Sequence, residues 1–252
     1  MHLGLIGFPL KNTFSKNYFE SKFSQLHLTD ATYVNFSIEL VELFPTLLNS
    51  HPELNGLNVT IPFKEKIFQY LDEVNPTAAE IGAVNCIQFI KKETRTKLIG
   101  HNTDAFGFEQ SLKHWLPDSM PKSAMVFGNG GAAKAVVYVL KKLGFSIQLV
   151  GRNADPLNQK ICYTDLNKSH FEKHFLLVNC SPIGMSPNDK ELLPIPYEFI
   201  DDQHCCYDLI YLPEKTPFLE KSALQGAQIK NGLEMLHLQA DKAFEIWQSE
   251  TV

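Results

Sequence analysis

Residues Ala124–Leu140, AMVFGNGGAAKAVVYVL, pass from an apolar strand through a glycine-rich turn into an amphipathic helix. The pattern predicts a strand over Ala124–Phe127 and a helix over Ala132–Leu143. Gly128, Gly130 and Ala133 satisfy G-x-G-x-x-A in the strand–turn–helix setting that a dinucleotide-binding turn requires. The physical demands are a tight turn, close backbone approach to a pyrophosphate and close helix packing, and the helix start then offers free N–H groups to phosphate. Taken alone, the match also suits a glycine-rich turn in any α/β protein.

The next strand, Ser146–Val150, sharpens the reading. An NAD-binding unit ends that strand in an acid that hydrogen-bonds the ribose 2′-hydroxyl, whereas IQLVGRN ends in Gly151, Arg152 and Asn153. An arginine there favours a 2′-phosphate, because its planar fork binds phosphate bidentately and its face stacks on adenine. NADP is therefore the expected cofactor, and an S-adenosylmethionine enzyme, which wants an acid at this point, is disfavoured. The other reading of Arg152 is a solvated loop residue.

Outward from this unit, Leu176–Cys180 and Cys205–Leu209 read as further strands and Gly232–Gln248 as a long closing helix. On the N-terminal side, Leu3–Gly7, Thr32–Phe36, Leu54–Thr60, Val84–Ile90 and Lys97–Gly100 read as strands, and Ser15–Leu26, Val41–Asn49, Phe63–Asp72 and Thr103–Trp115 as helices. Such alternation implies a mostly parallel sheet with helices over its faces. Leu116–Ser123, with Pro117 and Pro121, reads as a hinge between two α/β domains.

The 252 residues suffice for two such domains with real cores, and 44 % apolar with 20 % charged residues is ordinary globular composition. A net charge of −5 with scattered basic residues gives a nucleic-acid backbone little to hold. The five cysteines, Cys86, Cys162, Cys180, Cys205 and Cys206, form no C-x-x-C, so a reducing cytoplasm is expected. Neither a signal peptide nor a membrane span is expected.

In NVTIPFKEKI, Asn58–Ile67, alternation predicts a strand that turns Asn58 and Thr60 to one side. With Pro62 in the first turn of the helix expected to follow, Lys64 would stand at a helix N-terminus, opposing its dipole by some tenths of a kcal/mol. By residue type alone, a surface ion pair is the readier account of Lys64 and Asp104, and a catalytic pair the alternative.

Together the motifs GFPLKNTFS (Gly7–Ser15), NVTIPFK, GAVNCI (Gly82–Ile87), HNTDAFGF (His101–Phe108), GNGGAAKA, NCSPIGM (Asn179–Met185), DLIYLPEKTPFL (Asp208–Leu219) and GLEMLHLQADKAF (Gly232–Phe244) resemble the shikimate dehydrogenase family along nearly the full chain. The resemblance implies NADPH-dependent reduction of 3-dehydroshikimate to shikimate, on the route to aromatic amino acids. It implies an α/β fold of two domains: a substrate-binding βαβ domain over 1–104 and 237–252, to which the C-terminal helix returns, and a Rossmann-type NADP-binding domain over 105–236. It makes Lys64 and Asp104 the catalytic pair, Thr13 and Ser15 the hydroxyls for the substrate carboxylate, and Thr60, Asn85 and Gln239 further substrate contacts, with Asn58 and Tyr211 as walls. Gly128, Asn129, Gly130, Gly131, Ala132, Arg152, Leu209 and Gly232 match the cofactor side, and no metal is implied.

Two departures stand out. The family's usual His-Ser-x-Ser-Pro element is represented by Asn12-Thr13-Phe14-Ser15-Lys16, and a threonine methyl stiffens the rotamer and crowds the pocket, which bears on shikimate against quinate. The usual Asn-Arg-Thr turn is Gly151-Arg152-Asn153, with Asp155 close behind, which weakens the expected phosphate grip. A quinate-directed sibling with relaxed cofactor use and a non-catalytic ligand-binding relative are the alternatives; retention of both Lys64 and Asp104 counts against the second. His170 and His174 lack a third ligand and read as a solvated helix face, Cys205-Cys206 as core, and Leu233, Leu236, Ala240, Ala243, Phe244 and Trp247 as a buried stripe.

Overall fold

The computed structural model describes residues 1–11, 13–93, 95–185 and 191–249. They form two compact units, Met1–Thr103 with the chain from Ala240 onward, and Asp104–Gln239. Leu116–Ser123 thus lies inside the second unit: the helix before it is tied there by the Glu109–Lys142 ion pair at 2.8 Å and by Ser111 Oγ against Tyr207 OH at 2.9 Å.

The first unit contains β1 His2–Gly7, α1 Phe14–Gln25, β2 Thr32–Ser37, α2 Phe44–Ser50, β3 Gly56–Val59, β4 Glu73–Val74, α3 Pro76–Ile81, β5 Cys86–Lys91 and β6 Thr96–His101. Its sheet has the order β2-β1-β3-β5-β6-β4. β1 runs parallel to β2 and β3, and β4 to β6, whereas β5 is antiparallel to both neighbours. The sheet is therefore mixed rather than mostly parallel, because the tight turn between β5 and β6 can only join antiparallel strands. Side chains alternate across it. On one face Ile6, Leu57 and Val59 pack with Phe44, Phe63 and Ile67; on the other Leu3 and Leu5 pack with Phe19, Phe23 and Tyr33.

The expected helix over Phe63–Asp72 does not form. Lys66 and Ile67 both donate to the Phe63 carbonyl, and only a 3-10 turn follows at Ile67–Tyr70. The Lys64 carbonyl, which a helix would use internally, accepts from Val84 N at 2.8 Å instead. Phe63 and Ile67 are buried as expected, so the spacing of apolar residues was satisfied by a turn too short to be an α-helix.

The second unit contains α4 Asp104–Trp115, β7 Ser123–Phe127, α5 Gly131–Lys142, β8 Ser146–Gly151, β9 Lys160–Cys162, α6 Lys168–Phe171, β10 Leu176–Asn179, β11 Cys205–Asp208, α7 Pro217–Leu224 and β12 Gln228–Lys230, and α8 Leu233–Gln248 runs from it into the first unit. Every strand pair is parallel, in the order β12-β11-β10-β7-β8-β9. Chain direction across the sheet reverses between β7 and β10, the switch point at which open α/β sheets bind ligands.

The far half of α8 packs on the first unit, with Ala240, Ala243, Phe244 and Trp247 buried and Trp247 Nε1 donating to Ile87 O at 3.0 Å. Leu236 is only half-buried, and Leu233 departs furthest from the expected stripe. It is exposed, because it is the first residue of α8. Among the described residues no helix is long and apolar enough to cross a membrane.

Candidate active site

Strand register places four loops at one edge of the first sheet. Ile6 stands opposite Val59 near the ends of β1 and β3, and Cys86, the first residue of β5, stands opposite both Asn58 and His101, the last residue of β6. The segments that leave this edge carry Thr13, Thr60, Lys64, Asn85 and Asp104.

Asn85 is the hub of this edge. It is 3 % exposed; its carbonyl accepts from Val59 N at 2.9 Å and from Asn58 Nδ2 at 3.2 Å. Its amide is held just as firmly, with Oδ1 accepting from Thr103 N at 2.6 Å and Nδ2 donating to Thr103 Oγ1 at 2.9 Å. Residue 84, next to it, holds the Lys64 carbonyl. One short segment therefore fixes the backbone of Lys64 and the residue immediately before Asp104. Lys64 itself is half-buried, and Asp104, which opens α4, is 6 % exposed.

A second chain of polar contacts runs through Tyr33, which sequence reading missed. Its hydroxyl donates to Asn58 Oδ1 at 2.7 Å and is hydrogen-bonded by Ser15, while its ring stacks on Phe19 at 4.6 Å. Burial pushes the Tyr33 phenol well above its ordinary pKa, so it stays a neutral donor. The only sequence signal was an aromatic residue in β2 on the same face as Asn35. That residue is the other partner missed: Asn35 Oδ1 accepts from Thr13 Oγ1 at 3.0 Å and Asn35 Nδ2 donates to Lys11 O at 3.0 Å. Thr13 also caps α1, accepting from Lys16 N at 3.4 Å. The hydroxyls of Thr13 and Ser15 are thus each oriented by an internal partner. Asn12 lies outside the described residues.

Thr60 anchors the turn ahead of Lys64, its N–H on Ile6 O at 2.9 Å and its carbonyl accepting from Phe63 N at 2.9 Å. In the second unit, Gln239 is 9 % exposed with Nε2 on Leu236 O at 2.9 Å, and Tyr211 is half-buried, which raises its phenol pKa.

The residues expected on the cofactor side follow the ends of β7, β8, β11 and β12. Gly128 has φ of +108°, open to glycine, and a Cβ there would stand 3.1–3.2 Å from the Cys180 and Ser181 backbone. Gly130 is the N-cap of α5 with no side-chain cap, and a Cβ on it would meet nothing within 4 Å. The uncapped N–H groups of Gly131 and Ala132 and the open space over Gly130 are what a pyrophosphate needs, so the residues fit a dinucleotide. Leu209 and Gly232 are brought together, since a Cβ on Gly232 would overlap Leu209 O. Their turn is held by Asp208, which accepts from Thr216 Oγ1 at 2.6 Å, Ile210 N at 3.0 Å and Asn179 Nδ2 at 3.1 Å, while burial pushes its carboxyl up to about 6. Arg152 is exposed just beyond β8, with its charge near Tyr163, whose phenol burial pushes up to about 12.

His170 and His174 make local bonds only: His170 Nδ1 accepts from Asn167 N at 3.3 Å, and His174 Nδ1 meets His170 O at 2.7 Å. Cys205 and Cys206 are buried in β11.

Comparison with known proteins agrees along the whole chain. Residues 5–87 match the family model of the shikimate dehydrogenase substrate binding domain. The shikimate dehydrogenase (NADP(+)) of Aquifex aeolicus is 36 % identical over 250 residues, covering 97 % of this chain and 90 % of the relative. A crystal structure of shikimate dehydrogenase from the same organism superposes with a TM-score of 0.86 at 34 % identity, covering 100 % of this chain and 93 % of that one. The Thermus thermophilus shikimate 5-dehydrogenase, solved in complex with NADP(H) and shikimate, gives a TM-score of 0.83 at 29 % identity, covering 98 % and 93 %.

Proposed function

Because this chain belongs to the shikimate dehydrogenase family, we propose that Lys64 and Asp104 are the proton-handling pair of its reaction. The protein is an NADP-dependent oxidoreductase that interconverts 3-dehydroshikimate and shikimate in aromatic amino acid biosynthesis. Gly128–Ala132, Arg152, Leu209 and Gly232 would hold NADPH, which would supply a hydride to the ketone carbon when bound. As the ketone carbon is reduced, charge grows on its oxygen, and the Lys64 ammonium donates the proton that turns this oxygen into a hydroxyl. Asp104 orients that ammonium and accepts from a ring hydroxyl. Asn85, Thr60 and Gln239 match the donors and acceptors of a polyol, and Asn58 and Tyr211 would serve as wall residues. In the reverse direction Lys64, deprotonated, takes the proton back.

The observation that supports this reading is the Val84–Asn85 segment, which binds the Lys64 carbonyl on one side and Thr103, next to Asp104, on the other. A double-mutant cycle tests it. If the two residues act as a unit, Lys64→Ala with Asp104→Ala should be no slower than the worse single variant. Losses that multiply would mean independent roles.

Thr13 and Ser15 grip the substrate carboxylate, whose charge is the same in ground and transition states. Ser15→Ala should therefore raise KM by about 10-fold or more with little change in kcat, since a hydrogen bond to a charged group is worth about 1.5–3 kcal/mol. Lowered kcat at unchanged KM would refute the clamp. The Thr13 methyl favours a second reading, in which quinate is also accepted; Thr13→Ser should then shift the shikimate-to-quinate ratio of kcat/KM, and an unmoved ratio would clear the methyl of any part in specificity. A reducing compartment, the cytoplasm, fits the five free thiols.

A further inference from the structure

β8 and β9 are parallel neighbours joined only by residues 152–159, whose one regular element is a 3-10 turn at Pro156–Asn158. Parallel strands ordinarily need a crossover of about a dozen residues or more, usually a helix that covers the sheet. The short connection leaves the flank of α5 uncovered. A cavity of about 580 Å³ lies there, bounded by Gly128 and Asn129 of the glycine-rich turn, Lys134 of α5, Leu149 of β8, Asp155 and Lys160. It is continuous with the cofactor turn and apolar at its floor.

Lys160 enters this space in a particular way. It pairs with Leu149 in register, and a Cβ on Gly151 would stand 3.3 Å from Lys160 Cδ and 3.8 Å from Cε. The lysine stem therefore lies across the bare end of β8, where an NAD-binding unit carries its acid. Reciprocal backbone bonds between Asp155 and Lys160, at 2.8 and 3.0 Å, fix that stem's origin. Arg152, exposed, follows Gly151 directly at the same strand end.

We propose that this cavity is the 2′-phosphate subsite and that Lys160, with Lys134 beside it, is a specificity-determining cation for NADP alongside Arg152. The inference rests on the NADP reading above. Three lysines, Lys134, Lys141 and Lys160, against the single carboxylate of Asp155 leave the cavity net positive, and a partly enclosed apolar lining strengthens their attraction for a phosphate. Lys160 thus makes up for the grip that Gly151-Arg152-Asn153 loses, and Gly151 is the residue that gives its stem room.

The test is calorimetric binding of adenosine 2′,5′-bisphosphate and of adenosine 5′-monophosphate, which differ only in the 2′-phosphate, to the full chain. Lys160→Met keeps an apolar stem over Gly151 and removes the charge. It should weaken the bisphosphate about 10- to 150-fold, the worth of a charge-assisted hydrogen bond, and leave the monophosphate within about two-fold. A smaller loss in the same direction is expected for Lys134→Met. If both variants bind the bisphosphate like the parent while Arg152→Ala does not, the subsite proposal is overturned and the NADP reading stands. If the parent itself binds the two nucleotides equally, both fail.

Discussion

Lys64→Ala is expected to lower kcat by about 10²- to 10⁴-fold, the usual contribution of a positioned acid or base, while NADPH affinity stays within about two-fold. The residue earns this expectation through its backbone. Its carbonyl is withdrawn from any helix and fixed on Val84, next to the buried amide of Asn85, so the ammonium is presented from a rigid turn rather than from a mobile surface. The loss should appear in kcat, because the proton is needed at the oxygen only as charge develops there. Steady-state rates across pH, with NADPH binding followed separately by fluorescence, measure both halves. A variant with normal turnover removes the lysine from the mechanism.

Arg152→Ala should cut kcat/KM for NADPH by about 10- to 150-fold, since a charge-assisted hydrogen bond to phosphate is worth about 1.5–3 kcal/mol. The low end of that range is expected if Lys160 carries its share. NADH lacks the phosphate, so its kcat/KM should move only a few-fold, through lost stacking on adenine. Added salt should weaken NADPH binding more in the parent than in the variant, because Arg152 is exposed and its ion pair is screened. Equal losses for both cofactors would assign the arginine to stacking or folding.

The nucleotide unit was legible because its information is local. Gly128, Gly130 and Ala133 lie within one turn, and the strand before and helix after them carry clean periodicities, so β7 and α5 fall within a residue of expectation. The first unit was harder. Nothing local in NVTIPFKEKI tells that the Lys64 carbonyl will be taken by Val84, so a helix was expected where a 3-10 turn stands; tertiary hydrogen bonding overrode spacing. Sheet direction was hidden for a similar reason, since the antiparallel setting of β5 depends on which strands its neighbours are. Tyr33 and Asn35 were invisible as site residues because their partners, Ser15, Asn58 and Thr13, are distant in sequence and met only through the fold. The missing helix between β8 and β9, by contrast, was written in the brevity of residues 152–159 and passed unread.

The most direct test of the central claim is the decay of NADPH absorbance on mixing the protein with 3-dehydroshikimate, repeated with 3-dehydroquinate and with NADH in place of NADPH. The account predicts rapid oxidation of NADPH by 3-dehydroshikimate, at a kcat/KM well above each of the other three combinations; no oxidation in that pairing, or a faster reaction with NADH, would contradict it.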